Sequence, residues 1–364
     1  MDQLRGVHYA AAQATEAVVR LGDTSAVAGR RALIVGIGGQ DGSYLTEWLL
    51  AQGYEVFGLV RQSTAEVPER IAHVIDRITL LRGDLVDQLS LLAAIERAKP
   101  EEIYNFAGTS FVPESWQQPA LTAEYTGMGV VRLLEAIRLA DPSIRFYQAS
   151  TSEMFGRPAS APQNESTPFE PQNPYAVAKL HAHLMTERYR EGYGIFAVSG
   201  ILYNHESPRR GLEFVTRKIT HAAAGIALGL EQQVSLGDLS AQRDWGFAGD
   251  YVRAMWLMLQ QEEPGTFVVA TGELHSVEEV ASIAFAHVGL DWRAHVVRDD
   301  RLLRPADDRA RLVGDATRAR TQLGWAPTIG FAELVRLMVD ADLARLDPDR
   351  THAPQLDWRA APAW

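Results

Sequence analysis

Cysteine is absent from all 364 residues. A disulfide framework, a thiolate metal site and a cysteine nucleophile are therefore excluded. No apolar run approaches the ~20 residues that cross a bilayer. The first residues also lack the basic patch and apolar core of a secretory signal. A soluble chain in the cytoplasm, without a membrane partner, is expected. Positive charge is scarce as well: 35 Lys and Arg face 46 Asp and Glu, for a net charge of −11. That balance argues against nucleic acid as a partner, but leaves room for a local basic pocket around a phosphate. Metal-ligand spacing is missing too. His181 and His183 have no suitably spaced partners, and His205-Glu206 meets Arg209 where H-E-x-x-H needs its second histidine. No metal site is expected.

What is present starts with Arg31–Gly42, RALIVGIGGQDG. The apolar run Ala32–Val35 reads as a buried parallel strand. Gly36, Gly39 and Gly42 space out a turn containing Gln40 and Asp41. A helical pattern follows, with Leu45, Trp48, Leu49 and Leu50 on its apolar positions. Strand, glycine turn and helix form the context of a dinucleotide site, whose pyrophosphate rests on the helix N-terminus. The strand–helix alternation then continues through Tyr54–Val60, Ile78–Leu81, Leu89–Ala98, Ile103–Phe106, Val130–Ala140 and Arg145–Ala149. It predicts an α/β chain with a Rossmann-type doubly wound parallel sheet. The expected dinucleotide-binding domain covers 31–203 and recruits one later strand from about 248–275. A smaller, partly helical lobe is expected from 204–247 and 276–350. Residues 1–30, with one weak helix at Ala10–Leu21, read as a mobile extension, and 351–364 as a tail.

A site for NAD usually places an acid about 20 residues after the glycines, to bind the ribose hydroxyls. Arg61 stands there instead, and its guanidinium suits a 2′-phosphate. The expected cofactor is NADP. Asp84, with Leu85 beside it, is placed against the adenine, and Ala107-Gly108 lets the backbone pass close to the cofactor.

Tyr175 and Lys179 lie at i and i+4 on one helical face, behind Pro174 in the first turn. An ammonium beside a phenol is expected to lower its pKa toward that of a usable general base. Just upstream, the strand Phe146–Ala149 ends in Ser150-Thr151-Ser152-Glu153. This combination resembles the extended short-chain dehydrogenase/reductases. Longer stretches narrow the likeness: Gly36–Leu45, Arg145–Gly156, Asn173–Leu180, Asn204–Thr220, Arg243–Val252 and Arg304–Asp315 resemble the GDP-mannose 4,6-dehydratase family.

The resemblance implies Thr151, Glu153, Tyr175 and Lys179 as the catalytic set. It also implies substrate contacts at Ser110, Ser152, Asn204, Val215, Lys218, Arg243 and Arg304, and a homodimer or homotetramer. The implied reaction converts GDP-mannose, or a related nucleotide sugar, to its 4-keto-6-deoxy form with loss of water. A 4-reductase or an epimerase of the same superfamily, or a dehydratase for another nucleotide sugar, are the alternatives. Relative to the family pattern, Gly38 is expected to add flexibility in the glycine turn. Thr109 and Phe111 bear on the sugar pocket, and Asp307 and Asp308 on the choice of nucleotide.

Overall fold

The computed structural model describes residues 27–61, 64, 66–303, 311–347, 349 and 358. The predicted helix at Ala10–Leu21, and Arg304, Asp307 and Asp308, lie outside them.

The first six strands are β1 (Arg31–Val35), β2 (Glu55–Val60), β3 (Ile78–Arg82), β4 (Glu102–Asn105), β5 (Arg145–Thr151) and β6 (Ala197–Leu202). Short strands β7 (Asn204–Glu206), β8 (Val234–Leu236), β9 (Gln242–Arg243) and β10 (Trp245–Phe247) follow. The last three are β11 (Thr266–Val269), β12 (His275–Ser276) and β13 (Val296–Arg298). Seven of them form one parallel sheet in the order β11-β6-β5-β4-β1-β2-β3. The apolar runs that predicted the inner strands are buried on both faces, with Leu33, Ile34 and Phe146 almost wholly enclosed, whereas the edge strand β3 is only partly covered; β6, with Val198 buried, is a strand the sequence reading did not predict. β11 comes from the stretch expected to supply a late strand. Chain order reverses between β1 and β4, so the glycine turn opens at the switch point where open α/β sheets bind ligands.

Helices α1 (Gln40–Ala51), α2 (Gln88–Ala98), α3 (Val112–Gln117), α4 (Pro119–Thr122), α5 (Gly129–Ala140) and α6 (Pro174–Tyr193) belong to the first half. A π-helical turn, Ala123–Met128, runs straight into α5, and a 3₁₀ run, Glu69–Arg77, precedes β3. Neither has a simple periodic signal. The second half adds α7 (Val215–Ala227), α8 (Ala248–Leu259), α9 (Val277–His287), α10 (Thr317–Leu323) and α11 (Phe331–Leu346). Of these, α8 packs on the sheet beside α1: Trp48 and Trp256 meet edge to face, and all of α8 is buried.

α7, α9 and α11 enclose a separate core that includes Ile219, Ala223, Val280, Phe285 and Val339. One buried pair fixes α7 to α11, where Arg217 Nε donates to Asp342 Oδ1 at 2.8 Å and Oδ2 at 2.9 Å. The same guanidinium donates to the carbonyls of Pro208 and Arg210 at 2.9 Å each. The polar stretch after Asn204 is thus not a loose connection. It contains β7, paired with β10, and is clamped from below by Arg217.

Candidate active site

β5 ends at the centre of the sheet and delivers Thr151 to its carboxyl edge. Thr151 Oγ1 accepts the Glu153 amide at 3.2 Å, which turns the chain into a short 3₁₀ piece, Ser152–Phe155. Glu153 therefore sits one step beyond Thr151, and Ser152 is buried between them. Opposite, Asn173 caps α6 by accepting the Ala176 amide at 2.8 Å, and Pro174 occupies N1. The other end of the Asn173 amide, Nδ2, donates to Glu153 Oε2 at 3.1 Å. The Thr151 hydroxyl lies near enough to the Tyr175 phenol to draw its pKa down. Thr151, Glu153, Tyr175 and Lys179 thus converge where the end of β5 meets the first turns of α6.

Lys179 corrects one expectation. Its Nζ donates to the Ala149 carbonyl at 2.8 Å and lies 5.9 Å from the Tyr175 ring centroid. Burial dominates the phenol and raises its pKa; the Thr151 hydroxyl and the Arg210 charge pull the other way, while Glu153 adds to the rise. Lys179 is not the group that tunes it. Its own ammonium, taken out of water, falls from 10.5 to about 8.

The glycine turn is built for close approach. Gly36 has φ +91°, and a Cβ there would press on the Ala107 amide at 3.0 Å. A Cβ on Gly42 would run into the Gly36 carbonyl, so the first turn of α1 can lie directly on the turn. Gly38 differs from expectation: the Pro68 ring lies 2.8 Å from where its Cβ would be, so close packing, not flexibility, explains the glycine. Asp41, in the first turn of α1, would repel a pyrophosphate. His205 Nε2 meets its Oδ2 at 3.0 Å while Nδ1 meets the Tyr203 carbonyl at 2.8 Å. Both ring nitrogens face oxygen acceptors, an arrangement that favours the protonated imidazole. Burial would raise Asp41, but the charge and hydrogen bond of His205 outweigh it and keep the carboxyl low. Burial likewise opposes His205, and Asp41 raises it. Gln40 joins the same contact, donating to the His205 carbonyl at 3.1 Å and accepting from Ser207 Oγ at 2.8 Å.

Arg61 is exposed directly after β2. The Asp84 carboxylate accepts the Val86 amide at 3.1 Å and the Tyr125 hydroxyl at 3.4 Å. The Leu85 side chain is turned inward against Gly129. Asn204 opens β7. Val215 and Lys218 start α7, where Lys218 Nζ donates to the Ser235 carbonyl at 2.7 Å. Arg243 lies on β9 opposite His275, and Ser110 is exposed after β4. Arg304 is not described.

Arg209 and Arg210 are neighbours in sequence but face different parts of the site. Arg209 faces α1, with an ion pair to Glu47, a 3.1 Å bond to Ser43 Oγ and its guanidinium 4.2 Å from the Tyr44 ring centroid. Arg210 lies 3.5 Å over the Phe214 ring and pairs with Glu206 at 3.2 Å, and its charge reaches Tyr175, Asp41 and His205. Phe214 in turn takes the edge of Phe111, 5.6 Å away.

A family model for GDP-mannose 4,6 dehydratase matches residues 33–338. GDP-mannose 4,6 dehydratase 1 of Arabidopsis thaliana is 50% identical over 335 residues, covering 88% of this chain and 92% of that one. The human GDP-mannose 4,6 dehydratase is 47% identical over 347 residues, covering 87% and 93%. Among solved structures, the Thermus thermophilus UDP-glucose 4-epimerase in complex with NAD superposes with a TM-score of 0.75 at 28% identity, covering 86% of this chain and 98% of that one. The chain belongs to the GDP-mannose 4,6-dehydratase family.

Proposed function

We infer that this enzyme converts GDP-mannose to GDP-4-keto-6-deoxymannose and water, with NADP as its resident cofactor. The observation behind this reading is Glu153: a carboxylate fixed by Asn173 beside the Thr151–Tyr175 pair, where a plain reductase or epimerase needs none. The residues present fit a dinucleotide. Gly36 and Gly42 leave room for backbone approach, His205 cancels the Asp41 charge, and the α1 N-terminus carries no side-chain cap. Gly36, Gly39, Gln40 and Ala107 would line the pyrophosphate and nicotinamide side, Asp84 and Leu85 the adenine, and Arg61 the 2′-phosphate. When bound, NADP supplies the acceptor for hydride from C4 and its donor back to C6.

The protein's own groups handle protons. Tyr175, beside Thr151, takes the proton from the sugar 4-hydroxyl. The ketone formed at C4 acidifies the hydrogen at C5. Glu153 removes that hydrogen as a proton and delivers it to the departing 6-hydroxyl, so that water leaves and a C5–C6 double bond forms. Once C6 has been reduced, the enolate spanning C4 and C5 needs a proton at C5; the proton that Tyr175 took from the 4-hydroxyl balances it, and the 4-ketone is restored. Asn204, Val215, Lys218 and Arg243 hold the nucleoside diphosphate, and Ser110 and Ser152 the sugar.

A homodimer is the assembly this reading favours. Trp116, Met128, Val177 and Leu184 expose apolar side chains on the surface formed by α3, the π turn and α6. A second copy would cover them. Incubation with GDP-mannose and catalytic NADP, read by mass spectrometry, tests the function. Loss of one water supports it. An unchanged mass, with NADPH consumed only on a 4-keto sugar, would mean a reductase.

A further inference from the structure

β2 and β3 run in parallel, and their register sets Val60 beside Arg82. Both strands therefore end at the same height on the edge next to the glycine turn. Arg61 follows directly and begins a tight turn, in which the Thr64 amide donates to the Arg61 carbonyl at 3.0 Å. Arg82 closes that turn from the neighbouring strand. Its Nη1 donates to the Arg61 carbonyl at 3.0 Å and also to the Thr64 carbonyl. Nε and Nη2 of Arg82 make no hydrogen bond among the described residues, and neither Arg61 nor Arg82 has a carboxylate partner there.

This arrangement is unusual for an acidic chain. Two arginines stand at adjoining strand ends, the guanidinium of one bonded to the backbone of the other, and neither has a carboxylate partner among the described residues. Two positive charges on neighbouring strand ends favour a dianion there. Arg82 has spent one nitrogen on two carbonyls, which fixes the guanidinium plane and lowers the entropy lost on binding. The free edge presents two N–H groups in the fork that matches phosphate oxygens.

We propose that Arg82 is the second arm of a two-arginine cradle for the 2′-phosphate of NADP, setting cofactor preference together with Arg61. This rests on the reading that NADP is the cofactor and that its adenosine lies beyond β2. Arg82 contributes a direct bond to the phosphate and also holds the Arg61 turn in the shape that presents its partner.

The test is calorimetric and needs no turnover. Nucleotide-free full-length chain is titrated with 2′,5′-ADP and with 5′-AMP, which differ only in the 2′-phosphate. The wild type is expected to favour 2′,5′-ADP clearly. Arg82→Met should weaken 2′,5′-ADP by about tenfold, the worth of one charge-assisted hydrogen bond, and leave 5′-AMP unchanged. The retained 5′-AMP binding also reports that the variant is folded. Arg82→Lys, which keeps the charge but not the fork, should fall between. A wild-type preference that Arg82→Met leaves intact overturns the role of Arg82 and spares the NADP reading. Equal weakening of both ligands also overturns it, since Arg82 would then only support the turn. A wild type without preference overturns the NADP reading, and this proposal with it.

Discussion

The Asn173 side chain binds two things at once: Oδ1 accepts the Ala176 amide at 2.8 Å and Nδ2 donates to Glu153 Oε2 at 3.1 Å. The cap that starts the Tyr175 helix is therefore also the clamp on the proposed base. These two tasks separate by substitution. Asn173→Asp keeps an acceptor for the cap but loses the donor to Glu153 and faces it with a second carboxylate. Its unfolding midpoint should stay near wild type while the dehydration rate drops by about one to two orders of magnitude, a typical cost of mispositioning an acid–base group. Asn173→Ala should lose both, with about 1 kcal/mol less stability from the missing cap. Equal rates for wild type and Asn173→Asp would remove the clamp from the mechanism.

Lys179 makes a prediction about pH. Its folded-state pKa is about 8 against 10.5 when exposed. Below pH 8 both states hold the proton and burial of the charge costs stability. Between about 8 and 10.5 the folded protein has released it while the unfolded chain has not, so stability rises with pH. Lys179→Met lacks this response. The stability of wild type relative to Lys179→Met, from denaturant melts, should therefore increase by about 2 kcal/mol between pH 7.5 and 9.5. The buried tyrosines titrate in both proteins and drop out of the difference. A difference that stays flat would mean Lys179 is solvated.

Much of this was legible beforehand, and the boundary between what was and was not is physical. β1, the glycine turn and α1 announce themselves because period, turn chemistry and burial all act within a dozen residues. The same holds for β5 and for the Tyr175–Lys179 spacing. What local pattern does not hold is the identity of a distant partner. That Lys179 would spend its proton donor on the Ala149 carbonyl, or Asn173 on Glu153, depends on how α6 lies across β5. Gly38 shows this in miniature. Its lack of a side chain reads as freedom until the Pro68 ring, thirty residues on, is found filling the space. The Asn204–Glu213 stretch carries no periodic signal of its own because the groups that hold it, Gln40, Arg217 and Arg345, are all elsewhere in the chain.

The Asp41–His205 pair should give a stability window with two edges. Asp41 titrates lower in the folded state than in the unfolded, so its contribution is lost as pH falls through that lowered value. His205 titrates higher, so its contribution is complete below its ordinary 6.5 and is lost as pH rises through the raised value. Asp41→Asn breaks the pair and leaves a buried imidazole facing an amide. At pH 6 the variant should be less stable by about 3 kcal/mol, the cost of breaking a buried ion pair. The deficit should shrink in alkaline solution, where wild-type His205 has also lost its proton. A deficit independent of pH would mean the two side chains are joined by a neutral hydrogen bond.

The most discriminating prediction concerns Glu153, because it separates a dehydratase from its redox relatives. Thr151 and Tyr175 suffice to take the proton from the 4-hydroxyl, but elimination across C5 and C6 requires another base. Glu153→Gln preserves the size of the side chain and an oxygen to accept from Asn173 Nδ2, so the pocket should keep its shape. What it loses is the ability to take a proton from C5. Oxidation at C4 should still occur, while release of water slows by a factor on the order of 10²–10⁴. In deuterated solvent, exchange at C5 should nearly cease, and reduced nicotinamide should become visible by its absorbance. Tyr175→Phe should block the earlier proton transfer, so neither signal would appear. Wild-type dehydration by Glu153→Gln would make the carboxylate a structural group and leave the reaction without its base.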